Sequence, residues 1–221
     1  MLMRRNAPAP DAHGALMDAN YRFQRHIYDL TRKYYLLGRD HLIDGLDAGA
    51  DSQVLEVGCG TGRNMIAAAR RWPSARFTGL DISAAMLETA RASIARRKLD
   101  QRIALVEADA CDFASNTALA DRQFDRIFFS YTLSMIPAWE CAIEEGLDAL
   151  APGGSLHIVD FGQQERLPRP FRAALFAWLR QFHVSPRGDL RPVLEEAAQR
   201  HGRRIDYRPL YRGYAWSAVL R

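Results

Sequence analysis

The stretch LEVGCGTGRN, residues 55–64, limits the fold more than any other part of the chain. It stands where an apolar, strand-like run (QVLEVG, 53–58) gives way to a helical one (GRNMIAAARRW, 62–72) that Pro73 stops. Glycines at 58, 60 and 62 let the backbone turn tightly and let a ligand approach it closely. A strand that passes to a helix through such a loop suits an open parallel sheet, whose ligands lie beyond the carboxyl ends of the strands.

The residues that follow keep the same alternation. ARFTGLDIS (75–83) reads as a second strand, and Ser83 can cap a helix over AAMLETARASIARRKL (84–99), whose basic last turn suits the helix dipole. RIALVEADA (102–110) is the third strand and FDRIFFSYT (124–132) the fourth. A helix over 138–151 is expected to end at Pro-Gly-Gly, before a fifth strand at SLHIVDFG (155–162). The tail, 204–220, holds two β-like runs around Arg212-Gly213 and reads as a closing antiparallel pair. Strands alternating with helices place helices on both faces of a mostly parallel sheet. The expected division is a tail and helical lid over 1–50, then one α/β domain over 51–221 with a helical insertion at 166–201.

The glycine loop departs from two nucleotide signatures. The dinucleotide fingerprint wants a glycine where Arg63 stands, and the loop has no phosphate-binding lysine. Glu56 instead opens the pattern E-x-G-x-G-x-G. Asp81 closes the second strand, where a carboxylate can accept from both hydroxyls of a ribose. Asp109 follows the third, placed to accept from the exocyclic amine of an adenine. Each feature alone has a plainer reading: glycines that only pack, an acid at a helix start, an acid in a loop. Together and in this order they point to an adenosine.

The runs VLEVGCGTG, GLDIS, EADACDF, FDRIFFSYTLSMIP and LAPGGSLHIVDFG resemble the successive motifs of class I S-adenosylmethionine-dependent methyltransferases. The resemblance implies a Rossmann-like, three-layer domain with a seven-stranded, mostly parallel sheet and an antiparallel final strand. It implies S-adenosylmethionine as cofactor and S-adenosylhomocysteine as product. It implies cofactor contacts from Glu56, Gly58, Cys59, Gly60, Gly62, Asp81, Ile82, Met86, Asp109 and Ala110, with Ser130 near the methionyl part. No metal is expected. FSYTLSMIP lacks the asparagine of the family's NPPY-type motif, which argues against an amide or nucleobase nitrogen as acceptor.

The segment 17–46, MDANYRFQRHIYDLTRKYYLLGRDHLIDGL, resembles more narrowly the opening of the betaine-lipid N-methyltransferases of BtaB type. Those enzymes methylate the homoserine amine of diacylglyceryl homoserine three times. The resemblance implies that Tyr28 and Tyr34 act at the amine, with Tyr21 and Arg39 at the cofactor. The chemistry is coherent, because the product is a cation and aromatic faces stabilise cations. Arg25, Lys33 or Arg39 could hold an acidic group on either ligand. The competing reading of Tyr21, Tyr28, Tyr34 and Tyr35 is an amphipathic helix with half-buried tyrosines. His26, His41, His157 and His183 read as structural, so no general base stands out.

A lipid substrate requires contact with a membrane, yet no apolar run is long enough to cross one. The insertion RLPRPFRAALFAWLRQFHVSPRGDLR (166–191) mixes large apolar residues with arginine, as interfacial helices do. Its alternative is a helix packed on the sheet edge or over the pocket. The net charge of +4, from 30 basic and 26 acidic residues spread along the chain, provides no broad basic face for nucleic acid. Three cysteines without CxxC spacing, and a start without a signal peptide's apolar core, suggest a cytoplasmic protein. The expected partners are therefore a lipid head-group amine and, transiently, an anionic membrane surface, with peripheral membrane association. Enzymes on phosphatidylethanolamine or a quinone remain open alternatives. So does a non-catalytic protein that binds adenosylmethionine or associates with RNA.

Overall fold

The computed structural model describes residues 36–221. The proposed lid tyrosines Tyr21, Tyr28, Tyr34 and Tyr35, with Arg25 and Lys33, lie outside the described residues. In chain order the elements are α1 (Arg39–Gly45), β1 (Gln53–Val57), α2 (Arg63–Arg71), β2 (Arg76–Asp81), α3 (Ala84–Ala95), β3 (Ile103–Glu107) and β4 (Phe124–Ser130). There follow α4 (Trp139–Asp148), β5 (Leu150–Phe161), α5 (Arg169–Arg180), α6 (Leu190–Arg200), β6 (Ile205–Leu210) and β7 (Ala215–Leu220).

The strands form one sheet in the order β3-β2-β1-β4-β5-β7-β6. β1 to β5 pair in parallel, and β7 runs antiparallel to both β5 and β6. Strand side chains alternate between faces, and the central strands, covered on both sides, are mostly apolar on both. Val54, Phe77, Phe128, Val159 and Phe161 join one core with Met65, Ala68 and Ala69 of α2, Leu87 and Ala90 of α3, and Leu42 and Ile43 of α1. Leu55, Val57, Ile127, Phe129, Leu156 and Ile158 join the other with Ile143 and Leu147 of α4 and Leu194 and Ala197 of α6. The result is the expected three-layer sandwich.

Three local expectations give way. The second long helix ends at Ala95 rather than Leu99, because Lys98 takes a left-handed φ of 55° and the chain turns there. The Pro-Gly-Gly run lies inside β5, whose pairing with β4 shifts register between Phe124 and Arg126. A β-carbon on Gly154 would sit 2.9 Å from the carbonyl oxygens of Phe124 and Ala151, so this irregular crossing needs glycine. The single insertion divides in two. α6 packs under the sheet as part of the second layer, while α5 buries only Leu179 completely.

Candidate active site

The glycine loop is tied down by the end of β2. The amides of Gly58 and Cys59 both donate to the Leu80 carbonyl, at 2.8 and 2.9 Å. The Gly60 amide donates to Asp81 Oδ2 at 2.7 Å, and the Ser83 amide to Asp81 Oδ1 at 3.0 Å. Asp81 thus fixes the loop after β1 and the turn into α3 together. Each carboxylate oxygen has more than one lone pair, so both can still accept from a ligand.

Gly58 has a φ of 72°, a left-handed value that L side chains rarely adopt. A β-carbon there would meet Thr132 Cγ2 at 2.1 Å, because the loop after β4 closes over it. Thr132 Oγ1 donates to the Gly58 carbonyl at 3.4 Å. Gly62 is also left-handed and faces Ala90 of α3. Cys59 points its side chain into the first core and is 5 % exposed. Burial, followed by the charges of Asp81 and Glu56, pushes its thiol well up. Only the Cys59 backbone lines the loop.

The other predicted residues gather at neighbouring strand ends. Asp109, half-buried beyond β3, accepts from the Cys111 amide through Oδ1 at 2.8 Å. The Ala108 amide donates to the Asp81 carbonyl at 3.2 Å, which keeps the ends of β2 and β3 together. Ala110 is buried; Ile82 lies in the turn after Asp81; the Met86 amide donates to Ser83 Oγ at 3.3 Å and caps α3. Ser130 closes β4 beside the glycine loop, and its buried Oγ has no hydrogen-bond partner.

Glu56 lies under the loop, 1 % exposed. Asn64 Nδ2 donates to its Oε1 at 2.8 Å, while Oε2 has no partner. Burial pushes this carboxyl up to about 8; Asp81's negative charge adds to the rise, while Asn64 and the Arg39 guanidinium oppose it. Arg39 opens α1 and donates through Nε to the Leu36 carbonyl at 3.1 Å. Its charge acts on Glu56 and also on Tyr131.

Several contributors escaped sequence reasoning. Asn64 and Thr132 lie within the quoted runs, but their partners Glu56 and Gly58 could not be assigned from spacing. The loop after β4 is held from far along the chain: the Ser134 amide donates to buried Asp160 Oδ2 at 3.0 Å. Arg187 donates to the Leu133 carbonyl through Nε at 3.0 Å and to the Ile136 carbonyl through Nη2 at 2.6 Å. Burial lifts Asp160 to about 6, against the pull of the Phe161 and Ser134 amides and of Arg187. Tyr131, Phe161 and Tyr214 form an aromatic row on the first face, with ring centroids 4.7 and 6.0 Å apart. Among the described residues, no cluster of histidine, cysteine or acid could hold a metal ion.

A glycine loop pinned by a strand-end aspartate, followed by a second acid one strand away, fits an adenosine cofactor. The unpartnered Glu56 Oε2 leaves an acceptor for a polar ligand beneath the loop. With the sheet order, these features fit a class I S-adenosylmethionine-dependent methyltransferase domain. Residues 54–154 match the family described as a methyltransferase domain. The methyltransferase GfsG of Streptomyces halstedii is 33 % identical over 121 residues, 55 % of this chain and 42 % of that protein. The ubiquinone/menaquinone C-methyltransferase UbiE of Agrobacterium fabrum is 28 % identical over 194 residues, 83 % of this chain and 72 % of that one. The chain spans about 42 % of the trans-aconitate 2-methyltransferase of Paracidovorax citrulli, as it does of GfsG, so it covers less than half of these relatives' own length. An O-methyltransferase family protein from Burkholderia thailandensis shares the fold, with a TM-score of 0.69 at 18 % identity, covering 91 % of this chain and 58 % of that one.

Proposed function

We propose that the chain is an N-methyltransferase that moves methyl groups from S-adenosylmethionine to a lipid head-group amine. In the finer form, it methylates the homoserine amine of diacylglyceryl homoserine three times, giving the trimethylated betaine lipid. The observation that carries the donor half is the row of acceptors at successive strand ends, Glu56, Asp81 and Asp109, around a loop that Asp81 holds through the Gly60 amide. The acceptor half rests on the resemblance of residues 17–46 and on the charge and aromatic content near the site.

The cofactor, when bound, supplies an electrophilic methyl group on a sulfonium. The chain's part is to hold and align, which provides most of the gain for such a transfer. Asp81 takes the ribose hydroxyls and Asp109 the adenine amine. Glu56 and Arg39 lie toward the amino-acid end. Loop 131–137, clamped by Asp160 and Arg187, sets the wall on the acceptor side. The amine attacks neutral and leaves as a cation, so an aromatic surround favours product formation. Tyr28 and Tyr34 are the residues the resemblance places there. A buried carboxylate committed to two backbone amides, as Asp160 is, makes a poor base. Proton removal falls to water, a phenol or a histidine.

Membrane contact is proposed through α5. Phe171 is 48 % exposed and stands beside exposed Arg169 and Arg172. No helix among the described residues is long and apolar enough to span a bilayer. A second reading, methylation of a quinone, is favoured by the match to UbiE along 83 % of the chain. An assay with labelled S-adenosylmethionine decides between them. It offers diacylglyceryl homoserine, phosphatidylethanolamine and a demethylated quinone in separate vesicles. Label in the homoserine lipid supports the first reading; label only in the quinone replaces it.

A further inference from the structure

Tyr131 follows Ser130 at the carboxyl end of β4 and is held in an unusual state. Its φ of 58° is left-handed, a costly conformation for a bulky residue. Such outliers persist where the surrounding structure over-determines them, and they cluster at functional sites. Its amide donates to the Val159 carbonyl at 2.8 Å, its ring packs edge-on against Phe161, and it is only 4 % exposed. That backbone twist turns the phenol back across the strand ends, where its hydroxyl donates to the Leu37 carbonyl.

The recipient is a short strap, residues 36–38, which leads into α1. Leu36 is buried in the first core. Gly38 takes a φ of 89° and lies so close to β5 and β6 that a β-carbon would meet Leu210 Cδ1 at 2.9 Å and Val159 Cγ2 at 3.2 Å. Arg39 comes next and reaches back to the Leu36 carbonyl with Nε. The strap is therefore fixed at both ends. Tyr131 holds the middle carbonyl from the sheet side, and Arg39 holds the first from α1. The same guanidinium acts electrostatically on Glu56 beneath the glycine loop.

We infer that Tyr131 is a positioning residue: by anchoring the strap at Leu37 it holds the Arg39 guanidinium over the Glu56 end of the donor site, where it meets the carboxylate of the cofactor's amino-acid part. The inference rests on the donor-binding reading above. It also gives a reason for the strained residue. The amide bond to Val159 and the ring contact with Phe161 leave the hydroxyl aside, and it is the hydroxyl that reaches the strap.

The test is a double-mutant cycle read by calorimetric titration of S-adenosylmethionine. Tyr131→Phe removes one hydroxyl and leaves the ring. It is expected to weaken binding three- to tenfold with the unfolding transition kept cooperative. In an Arg39→Gln background the same change is expected to alter affinity less than twofold, because the group it positions is gone. A merely structural tyrosine would instead give independent, multiplicative losses in the cycle. Unchanged affinity in Tyr131→Phe, or multiplicative losses, overturns the inference. If Tyr131→Phe does not fold, Arg39→Lys carries the test. It keeps the charge but loses the planar Nε donor to Leu36, and is expected to show the same three- to tenfold loss; full affinity there is equally contrary. A parent protein that binds no S-adenosylmethionine refutes the donor site itself, an outcome distinct from a parent that binds and a Tyr131→Phe variant that binds as well.

Discussion

Replacing Glu56 with glutamine isolates a single buried charge. The carboxyl is 1 % exposed, one oxygen has no partner, and burial lifts it to about 8 from an ordinary 4.5. The folded state therefore holds this proton between pH 4.5 and 8, while the unfolded chain has released it. Stability falls where the native state binds more protons than the unfolded state. The contribution is fully present below pH 4.5 and is lost as pH rises through about 8. The slope reaches about 1.4 kcal/mol per pH unit, on the order of 5 kcal/mol over the window from 4.5 to about 8 as a ceiling. Glutamine mimics the neutral acid: its oxygen can still accept from Asn64, and it never ionises. The variant should match the parent near pH 5 and exceed it increasingly toward pH 8.5. Urea unfolding of both proteins at pH 5.5, 7 and 8.5 measures the difference, and titrations common to both, such as that of Asp160, cancel. A gap of ~2 kcal/mol or more opening across the series is expected, since local relaxation reduces the ceiling. Parallel stability curves would refute the reasoning, because they would mean that Glu56 is ionised in the fold at little cost.

Gly58→Ala should destabilise the protein by about 2 kcal/mol or more. The left-handed backbone alone costs about 1–2 kcal/mol, and the new methyl sits on Thr132 Cγ2. Thermal unfolding checks this, and Gly58→Ala combined with Thr132→Ser should recover part of the loss by removing Cγ2. Phe171→Ser should leave the unfolding transition in place, because the ring is 48 % exposed, yet lower co-sedimentation with anionic vesicles. Equal vesicle binding would remove α5 as the membrane contact. Phe176 and Trp178 are poorer probes, since both pack partly against the first core and Trp178 lies edge-on to Phe182 at 4.9 Å.

Much of this architecture was legible in the residues because its signals are local. Apolar strand runs, helical spacing, Pro73 and the 58-60-62 glycines each report on a few neighbours, and together they gave the sheet and the loop. The acids at positions 56, 81 and 109 could be placed because strand ends in an alternating fold lie side by side. What was not legible depends on distant pairs. Asp160 in β5 and Arg187 before α6 clamp loop 131–137 from far along the chain, and nothing in their sequence surroundings pairs them with it. Gly79 looks like a weak point in a strand, yet a β-carbon there would meet Met65 Cε at 2.4 Å. The end of α3 and the bulge in β5 turned on single backbone angles, to which periodicity is blind. Tyr131 reads as one more aromatic after a strand until its φ and its bond to Leu37 are known.

The account depends most on Asp81, whose carboxylate both aims the loop through Gly60 and is assigned the ribose. Calorimetric titration of S-adenosylmethionine into the parent and into Asp81→Ala tests it directly, with unfolding curves to confirm that both are folded. Hydrogen bonds to a charged group contribute about 1.5–3 kcal/mol each, so the variant should bind at least tenfold more weakly. Equal affinity in a folded Asp81→Ala protein would contradict the account.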